Sequence, residues 1–403
     1  MLSNIKVTRT THSHFDQVDW DNIPFGKVFS DHMFIADFVD GKWNDPRIVP
    51  YEPIAMSPAI SALHYGQSIF EGMKAYRDPA GKPMLFRPEA NHKRMNKSAE
   101  RLCMPAISEK YFIGGLLALL EVDQKWIPNK PGYSLYIRPF MFATDEYVGI
   151  RPSEAYRFII FTCPVGAYYN APLNVKVSDN YVRAFPRGTG YAKVAGNYAA
   201  GMLPLKFARQ EGFDQLVWLD GKEMKYVEES GTMNLFFQIG DSLVTPVAEG
   251  TILEGITRDS VIKLAKDLGI KVDVRKVSIE EVFEAYNKGK LLDAFGTGTA
   301  ATIAPIQTIT YKGFRMVLPP VETRAISKRI HEALDAIRTG ATPDNYGWMV
   351  HLWLVKFVNL SADIGLLNPV GAYLNHQKTT HEKNWKLAPA FDACPRTPGA
   401  AGN

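Results

Sequence analysis

The stretch GTGYAKVAGNYAA, Gly188 to Ala200, sets one lysine among small and apolar residues, with a tyrosine five positions on. An isolated buried ammonium is costly. Lys193 is therefore either a loop lysine in solvent or an amine placed in a pocket, where desolvation favours the neutral, nucleophilic form. Two turns add a second kind of chemistry. LEGITRDS, Leu253 to Ser260, leads directly into a helical pattern, so the backbone N–H groups of Ile256 and Thr257 lie at a positive helix end suited to phosphate. GTGTAA, Gly296 to Ala301, follows a strand pattern and offers the hydroxyls of Thr297 and Thr299 with further N–H groups. Such turns are common in loops, and neither alone identifies a ligand. The third feature is VEESGTMNLF, Val227 to Phe236, two acids before a glycine and an apolar strand. Its carboxylates are either solvated at the strand mouth or fixed opposite a protonated ring nitrogen.

An amine, a phosphate cup and a carboxylate are the parts needed to hold pyridoxal 5'-phosphate. The lysine forms the Schiff base, the cup holds the phosphate, and the acid keeps the pyridine nitrogen protonated. Other chemistries find less support. Residues 188–196 match neither GxGxxG nor GxxxxGK[ST], and the chain holds no GxSxG and no HExxH. Cys103, Cys163 and Cys394 are far apart and odd in number, which fits neither a disulfide framework nor a metal site, so no metal is expected.

The elements that must position these groups mix strands and helices. FIADFVDGKW (34–43), SLYIRPFMF (134–142) and YRFIIFTCPVG (156–166) read as strands, and YFIGGLLALLEVDQKW (111–126) has apolar residues at helical spacing. YYNAPLN, with Pro172, reads as a connector. Beyond it, DQLVWLDG (214–221), the hairpin TMNLFFQIGDSLVTP (232–246) and LLDAF (291–295) read as strands. TRDSVIKLAKDLG (257–269) reads as a helix stopped by Gly269, and SIEE (278–281) as a capping box opening another. The expected organisation is a small N-terminal α/β domain over 1–166, a linker over 167–180, a large C-terminal domain over 181–350, and an extension over 351–403. The extension closes in PRTPGAAGN and reads as a poorly ordered or appended segment, although WMVHLWLVKFV (348–358) is apolar enough to dock.

Composition sets the outer limits. The 403 residues carry 46% hydrophobic and 22% charged residues, as in a globular protein with room for two cores. A net charge of +4 and no dense Lys/Arg block give no case for nucleic acid. The longest apolar runs, such as FIGGLLALL, fall short of the roughly 20 residues of a membrane span, and the N-terminus has no signal-like apolar run, so no membrane contact and a cytoplasmic location are expected.

The motifs also occur in a particular order. FGKVFSDHM (25–33), LHYGQSIFEGMKAYR (63–77), LFRPEANHKRM (85–95), SLYIRPF, CPVGAYY (163–169), GTGYAKVAGNY, EESGTMNLFF, LEGITRDS and FGTGTAA together resemble the branched-chain amino acid aminotransferases of fold type IV, from about Phe25 to Trp348. The resemblance implies a two-domain mixed α/β (α+β) fold with pyridoxal 5'-phosphate between a smaller and a larger domain, and a homodimer. It implies ping-pong transfer of the amino group between L-leucine, L-isoleucine or L-valine and 2-oxoglutarate. Lys193 then matches the Schiff-base lysine and proton shuttle, Glu229 (rather than Glu228) the pyridine-nitrogen partner, and Tyr198 the phenol on the cofactor O3'. Arg94 matches the phosphate arginine, joined by Ile256, Thr257 and Thr299. Thr232 and the backbone of Ala300 match the receivers of the substrate α-carboxylate. Phe25, Tyr65, Phe70, Tyr136, Ile150 and Tyr168 match the side-chain pocket, some reaching across from the facing subunit. Arg138 is the candidate for the second carboxylate of glutamate or 2-oxoglutarate.

The sequence departs from the family in places. Ala301 and Ala304 stand where some members carry a Cys-x-x-Cys, which excludes a thiol switch there. Ala195 replaces a glycine, NYA replaces NYG, and Pro204 is expected to bend or delay the helix after the lysine. A D-amino acid aminotransferase or a chorismate-derived lyase of the same fold, and a non-catalytic phosphate-ligand binding protein, remain as alternatives at this point.

Overall fold

The computed structural model describes residues 5–352 apart from positions 167 and 170. The expected extension therefore lies outside the described residues beyond Leu352. The architecture is mixed α+β, built on two nine-stranded sheets.

The first sheet runs, in spatial order, Lys6–Val7, Lys42–Pro50, His32–Val39, Tyr156–Val165, Ser134–Ala143, Met73–Arg77, Pro83–Phe86 and Met349–His351, with Ser68–Phe70 added onto Ser134–Ala143. Its helices, Pro88–Arg101 and Glu109–Val122, cover one face. Phe112, Leu116, Leu119 and Leu120 come from the helical spacing noted above and pack on Phe34, Phe158 and Ile160. The expected helix over 111–126 ends at Val122 and continues as a single tight turn, Gln124–Trp126.

The second sheet closes on itself. Val227–Ser230, Gln215–Leu219, Leu173–Val177, Thr302–Tyr311, Leu291–Gly298 and Met233–Ile239 pair in that order, and Met233–Ile239 pairs back with Val227–Ser230. The ring is filled by Val175, Val217, Leu235, Phe237, Ala294, Ile306 and Ile309. Ser242–Thr245 and Lys271–Val274 extend it sideways.

Two expected boundaries differ from the observed pairing. Residues 167–180 include the strand Leu173–Val177, in which Leu173, Val175 and Val177 alternate inward; Pro172 stands just ahead of it, where its missing N–H costs no ladder bond. Met349–His351, across the expected boundary at 350 between the second domain and the extension, pairs with Pro83–Phe86 in the first sheet. Pro204 lies in the first turn of the helix Met202–Gln210, where its lack of an N–H is harmless, so it neither bends nor delays that helix. Ser278 accepts from the Glu281 N–H, the capping bond expected of SIEE. Among the described residues no helix is long and apolar enough to cross a membrane.

Candidate active site

Lys193 lies just before the short helix Gly196–Ala199, and its backbone is tied down at both ends. Its N–H donates to Ser98 Oγ at 2.9 Å, and its carbonyl accepts from the Phe70 N–H at 3.1 Å. The amine donates to Tyr198 Oη at 2.8 Å and stands 4.6 Å from the Phe70 ring centre. The five-residue spacing of lysine and tyrosine thus becomes a direct amine–phenol contact. Lys193 is half-buried, its amine paired with a phenol.

Ser98 links the lysine to the anion end. It donates to the Arg94 carbonyl one turn earlier on the helix Pro88–Arg101. The Arg94 guanidinium is buried and donates twice to Glu71, at 2.7 and 2.8 Å, and once to the Glu254 carbonyl at 3.1 Å. Burial alone would raise the wholly buried Glu71 carboxyl, but Arg94, with Lys193 and Asn91, holds it below the usual range. Glu254 precedes Gly255, the N-cap of the helix Ile256–Asp267. Ile256 and Thr257 are its first two residues, so their N–H groups have no partner inside the helix. A side chain at Gly255 would displace the Asn234 amide, whose Nδ2 donates to the Leu253 carbonyl. Arg94 thus bonds the turn that opens this helix, and a helix start suits an anion.

Glu229 sits at the other end of the same turn. Its Oε1 accepts from the Leu253 N–H at 2.8 Å, and Arg183 Nε lies 3.4 Å from Oε2. Burial pushes the Glu229 carboxyl up, against the pull of Arg183, the Leu253 N–H, Lys193 and Arg94. Glu228 is turned to Thr251, which donates to its Oε1, and burial pushes it up to about 7. Glu229, Tyr198, Thr232 and Tyr168 line one cleft with Arg183 and Gln215, and Glu228 does not.

The aromatic residues gather on the same side of the first sheet. Phe25 packs edge-on to Tyr136 and Tyr168, at 5.2 and 4.7 Å between ring centres. Arg138 lies over the Phe70 ring at 4.7 Å and donates to Tyr136 Oη at 3.1 Å. Its Nε is buried without a protein acceptor. The Tyr136 hydroxyl crosses so close over Gly72 that no side chain fits there. Thr299 donates to the Gly72 carbonyl at 3.0 Å, and the Ala300 carbonyl accepts from Lys74 at 2.9 Å. Two expected pocket residues stand apart: Tyr65 is 44% and Ile150 92% exposed, among exposed Leu63, Tyr147 and Val148.

Sequence reasoning did not single out Glu71, Arg183, Ser98, Asn91 or Lys74. Each acts through a partner far along the chain, such as Glu71 with Arg94 or Lys74 with Ala300. A buried acid in an otherwise apolar strand segment, SIFEGM, was the available signal for Glu71. Asp31, His32 and Asp123 also cluster, buried, away from this site. There His32 Nε2 accepts from the Thr10 N–H at 2.9 Å, which leaves Nδ1 to donate to Asp123 at 2.6 Å. Both ring nitrogens are taken, the pattern of a structural histidine rather than a metal ligand.

A family model described as amino-transferase class IV matches residues 68–309, which span Phe70, Arg94, Lys193, Glu229 and Thr299. The chain is 46% identical over 334 residues to branched-chain-amino-acid aminotransferase 2 of Bacillus subtilis (strain 168), covering 82% of this chain and 92% of that protein. Its fold is similar to the branched-chain amino acid aminotransferase of Escherichia coli, with a TM-score of 0.65 at 30% identity over 80% of this chain and 99% of that one. It is also similar, with a TM-score of 0.64 over 79% of this chain and 98% of that one, to the T.th. branched-chain amino acid aminotransferase. The T.th. protein has been solved with pyridoxamine 5'-phosphate and with N-(5'-phosphopyridoxyl)-L-glutamate, each at 29% identity, and with 4-methylvaleric acid at 28%.

Proposed function

Because the chain belongs to the class IV aminotransferases, and among them is a branched-chain-amino-acid aminotransferase, we propose that it exchanges the amino group between leucine, isoleucine or valine and 2-oxoglutarate through Lys193. Its cofactor is pyridoxal 5'-phosphate, and the residues present fit that group: a buried arginine bonded to the turn that opens a helix, a buried carboxylate, and an amine whose backbone belongs to the same bonded network. That network is the observation that carries the reading. Bound cofactor supplies the electron-withdrawing ring that weakens the substrate Cα–H bond.

The chain's own groups do the rest. Lys193 Nζ, held at 2.8 Å from Tyr198 Oη, takes the proton from the substrate Cα and returns it on the other side of the transfer. Arg94, the N–H groups of Ile256 and Thr257, and Thr299 would hold the phosphate. Glu229 holds the proton on the ring nitrogen. The Leu253 N–H keeps its carboxylate aimed, and Arg183 lies beside it. Thr232 and the backbone at Ala300 receive the substrate α-carboxylate.

Phe25, Phe70, Tyr136 and Tyr168 bury the branched side chain, at about 25 cal/mol per Å² of apolar surface removed from water. Arg138, its Nε lacking a protein acceptor, answers the second carboxylate of glutamate. The T.th. structures with a glutamate adduct and with 4-methylvaleric acid support one pocket serving both substrate types. Tyr65 and Ile150, exposed in the single chain, complete the pocket of a second copy in a homodimer.

The test is an amino-donor panel with 2-oxoglutarate, run on the wild type and on Lys193→Ala. Leucine, isoleucine and valine should serve as donors and D-alanine should not. Lys193→Ala should lose at least about 10³-fold in turnover. Transfer from D-alanine in preference to leucine, or undiminished transfer by Lys193→Ala, would refute the reading.

A further inference from the structure

The chemistry above gives no role to residues 5–24, yet they are fastened along their length. Lys6–Val7 ladders onto the edge of the first sheet beside Lys42–Pro50. Thr10 then donates its N–H to His32, whose ring is locked by Asp123. Ser13 donates to Asp31 Oδ2 at 2.8 Å, and the Lys125 ammonium reaches both partners, at 2.7 and 3.2 Å. Phe15 and Trp20 close on Trp126, their ring centres 5.1 and 6.1 Å from it. Asp31, His32 and Asp123 are all buried, so the anchor belongs to the sheet's interior.

The segment runs straight into the substrate pocket. Phe25 stands at the tip of a turn closed by the Lys27 N–H on the Pro24 carbonyl at 3.3 Å, with Gly26 at φ 69°. One such bond fixes the shape of a turn and not its place. Its place is set from both sides. Ahead of it, Lys130 donates to the Trp20 carbonyl at 3.3 Å and to Asp21 Oδ1 at 2.7 Å, and Tyr133 donates to the Asp21 carbonyl at 3.1 Å. Behind it, His14 Nε2 lies 2.9 Å from the Phe29 carbonyl. A carbonyl only accepts, so that nitrogen carries the proton and donates. Ser30 follows, paired with Thr162 through both its N–H and its hydroxyl.

We propose that residues 10–24 form a specificity strap. It is fastened on His32 and Asp31 at one end and on Lys130 and Tyr133 at the other, and it holds Phe25 as one wall of the side-chain pocket. His14, Lys130 and Tyr133 are its positioning residues. The inference rests on the reading that Phe25 lines that pocket. Apolar donors depend on the strap most, because their binding comes from surface pressed against the wall, and dispersion falls steeply once a gap opens. The side chain of glutamate depends on it less, since Arg138 answers its carboxylate.

The experiment uses the cofactor-loaded enzyme and follows the change in cofactor absorbance with leucine or glutamate as the only substrate. Calorimetry with 4-methylvalerate, which has the leucine skeleton and no amine, adds a readout that needs no turnover. His14→Phe combined with Lys130→Met and Tyr133→Phe removes the donors and keeps a ring beside Trp126. It should raise the half-saturating leucine concentration at least about fivefold and weaken 4-methylvalerate in parallel. The limiting rate, and the half-saturating glutamate concentration, should change less than about twofold, the pattern of lost uniform binding. Lys130→Met with Tyr133→Phe alone alters side chains at the surface. It should show the same split at about twofold or more, and it is read even if the triple variant does not fold. Phe25→Ala should cost leucine at least about tenfold more than glutamate. Such a loss in Phe25→Ala with none in either strap variant would overturn the strap and leave the pocket reading standing. Equal losses for the two donors in Phe25→Ala would overturn the place of Phe25 in the pocket, and the strap with it. Equal losses in the strap variants would reduce residues 10–24 to a stabilising arm.

Discussion

Arg94 and Glu71 are joined by two parallel hydrogen bonds of 2.7 and 2.8 Å, with the carboxylate wholly shielded from solvent. Asn91 and the Gly72 N–H bond the same carboxylate, so the guanidinium has a single allowed orientation. Glu71→Ala should destabilise the protein by about 3–5 kcal/mol, because it leaves Arg94 charged and unpaired in the interior. Denaturant unfolding measures this. The variant should also release pyridoxal phosphate on dilution faster than wild type. Equal cofactor retention would show that Arg94 is aimed by something other than Glu71.

Glu229→Gln keeps an acceptor for the Leu253 N–H and removes the charge proposed to face the ring nitrogen. Turnover of leucine should fall about 10²-fold, the scale of one lost electrostatic stabiliser. The melting temperature should hold or rise, because burial already pushes this carboxyl towards its neutral form. Single-turnover kinetics on the loaded enzyme provides the measurement, and a fall of less than about threefold, far short of that scale, would remove Glu229 from its role.

Glu228 provides a pH signature. Its carboxyl is pushed up to about 7 in the folded chain, by burial first and by the charge of Glu229 in addition, while Thr251 and Arg183 oppose the rise. The ordinary value is about 4.3. A raised folded value means the native state holds the proton longer, so the associated stability is present below about 4.3 and lost as pH rises through about 7. Glu228→Gln has no proton to lose. It should match wild type near pH 4 and exceed it by about 1–3 kcal/mol at about pH 8.5, read from urea unfolding at each pH. A gap that does not change with pH would mean that Glu228 is ionised throughout.

What could be read from the sequence was local. The contact between Lys193 and Tyr198 spans five residues, the Ser278 cap three, and the Ile256–Asp267 helix announces itself by its own apolar spacing. Glu71 with Arg94 is separated by 23 positions and Lys74 with Ala300 by 226, and no periodicity relates residues that meet only after two sheets have formed. The Leu173–Val177 strand was hidden for a related reason. Five residues beside a proline look like a connector until parallel neighbours on both sides, Gln215–Leu219 and Thr302–Tyr311, recruit them. Tyr65 and Ile150 are exposed in the single chain, so their expected place in the pocket rests on the proposed homodimer.

Adjacent residues of a strand face opposite sides, so two neighbouring acids can trade places through a slip of one position. In the Val227–Ser230 strand such a slip would offer Glu228 to the cleft and turn Glu229 away from it. Ring closure prevents it. That strand is laddered on one side to Gln215–Leu219 and on the other to Met233–Ile239, so a change of register would have to be accepted by both neighbours together. A barrel that looks like a passive scaffold is therefore what sets which of the two acids lines the cleft.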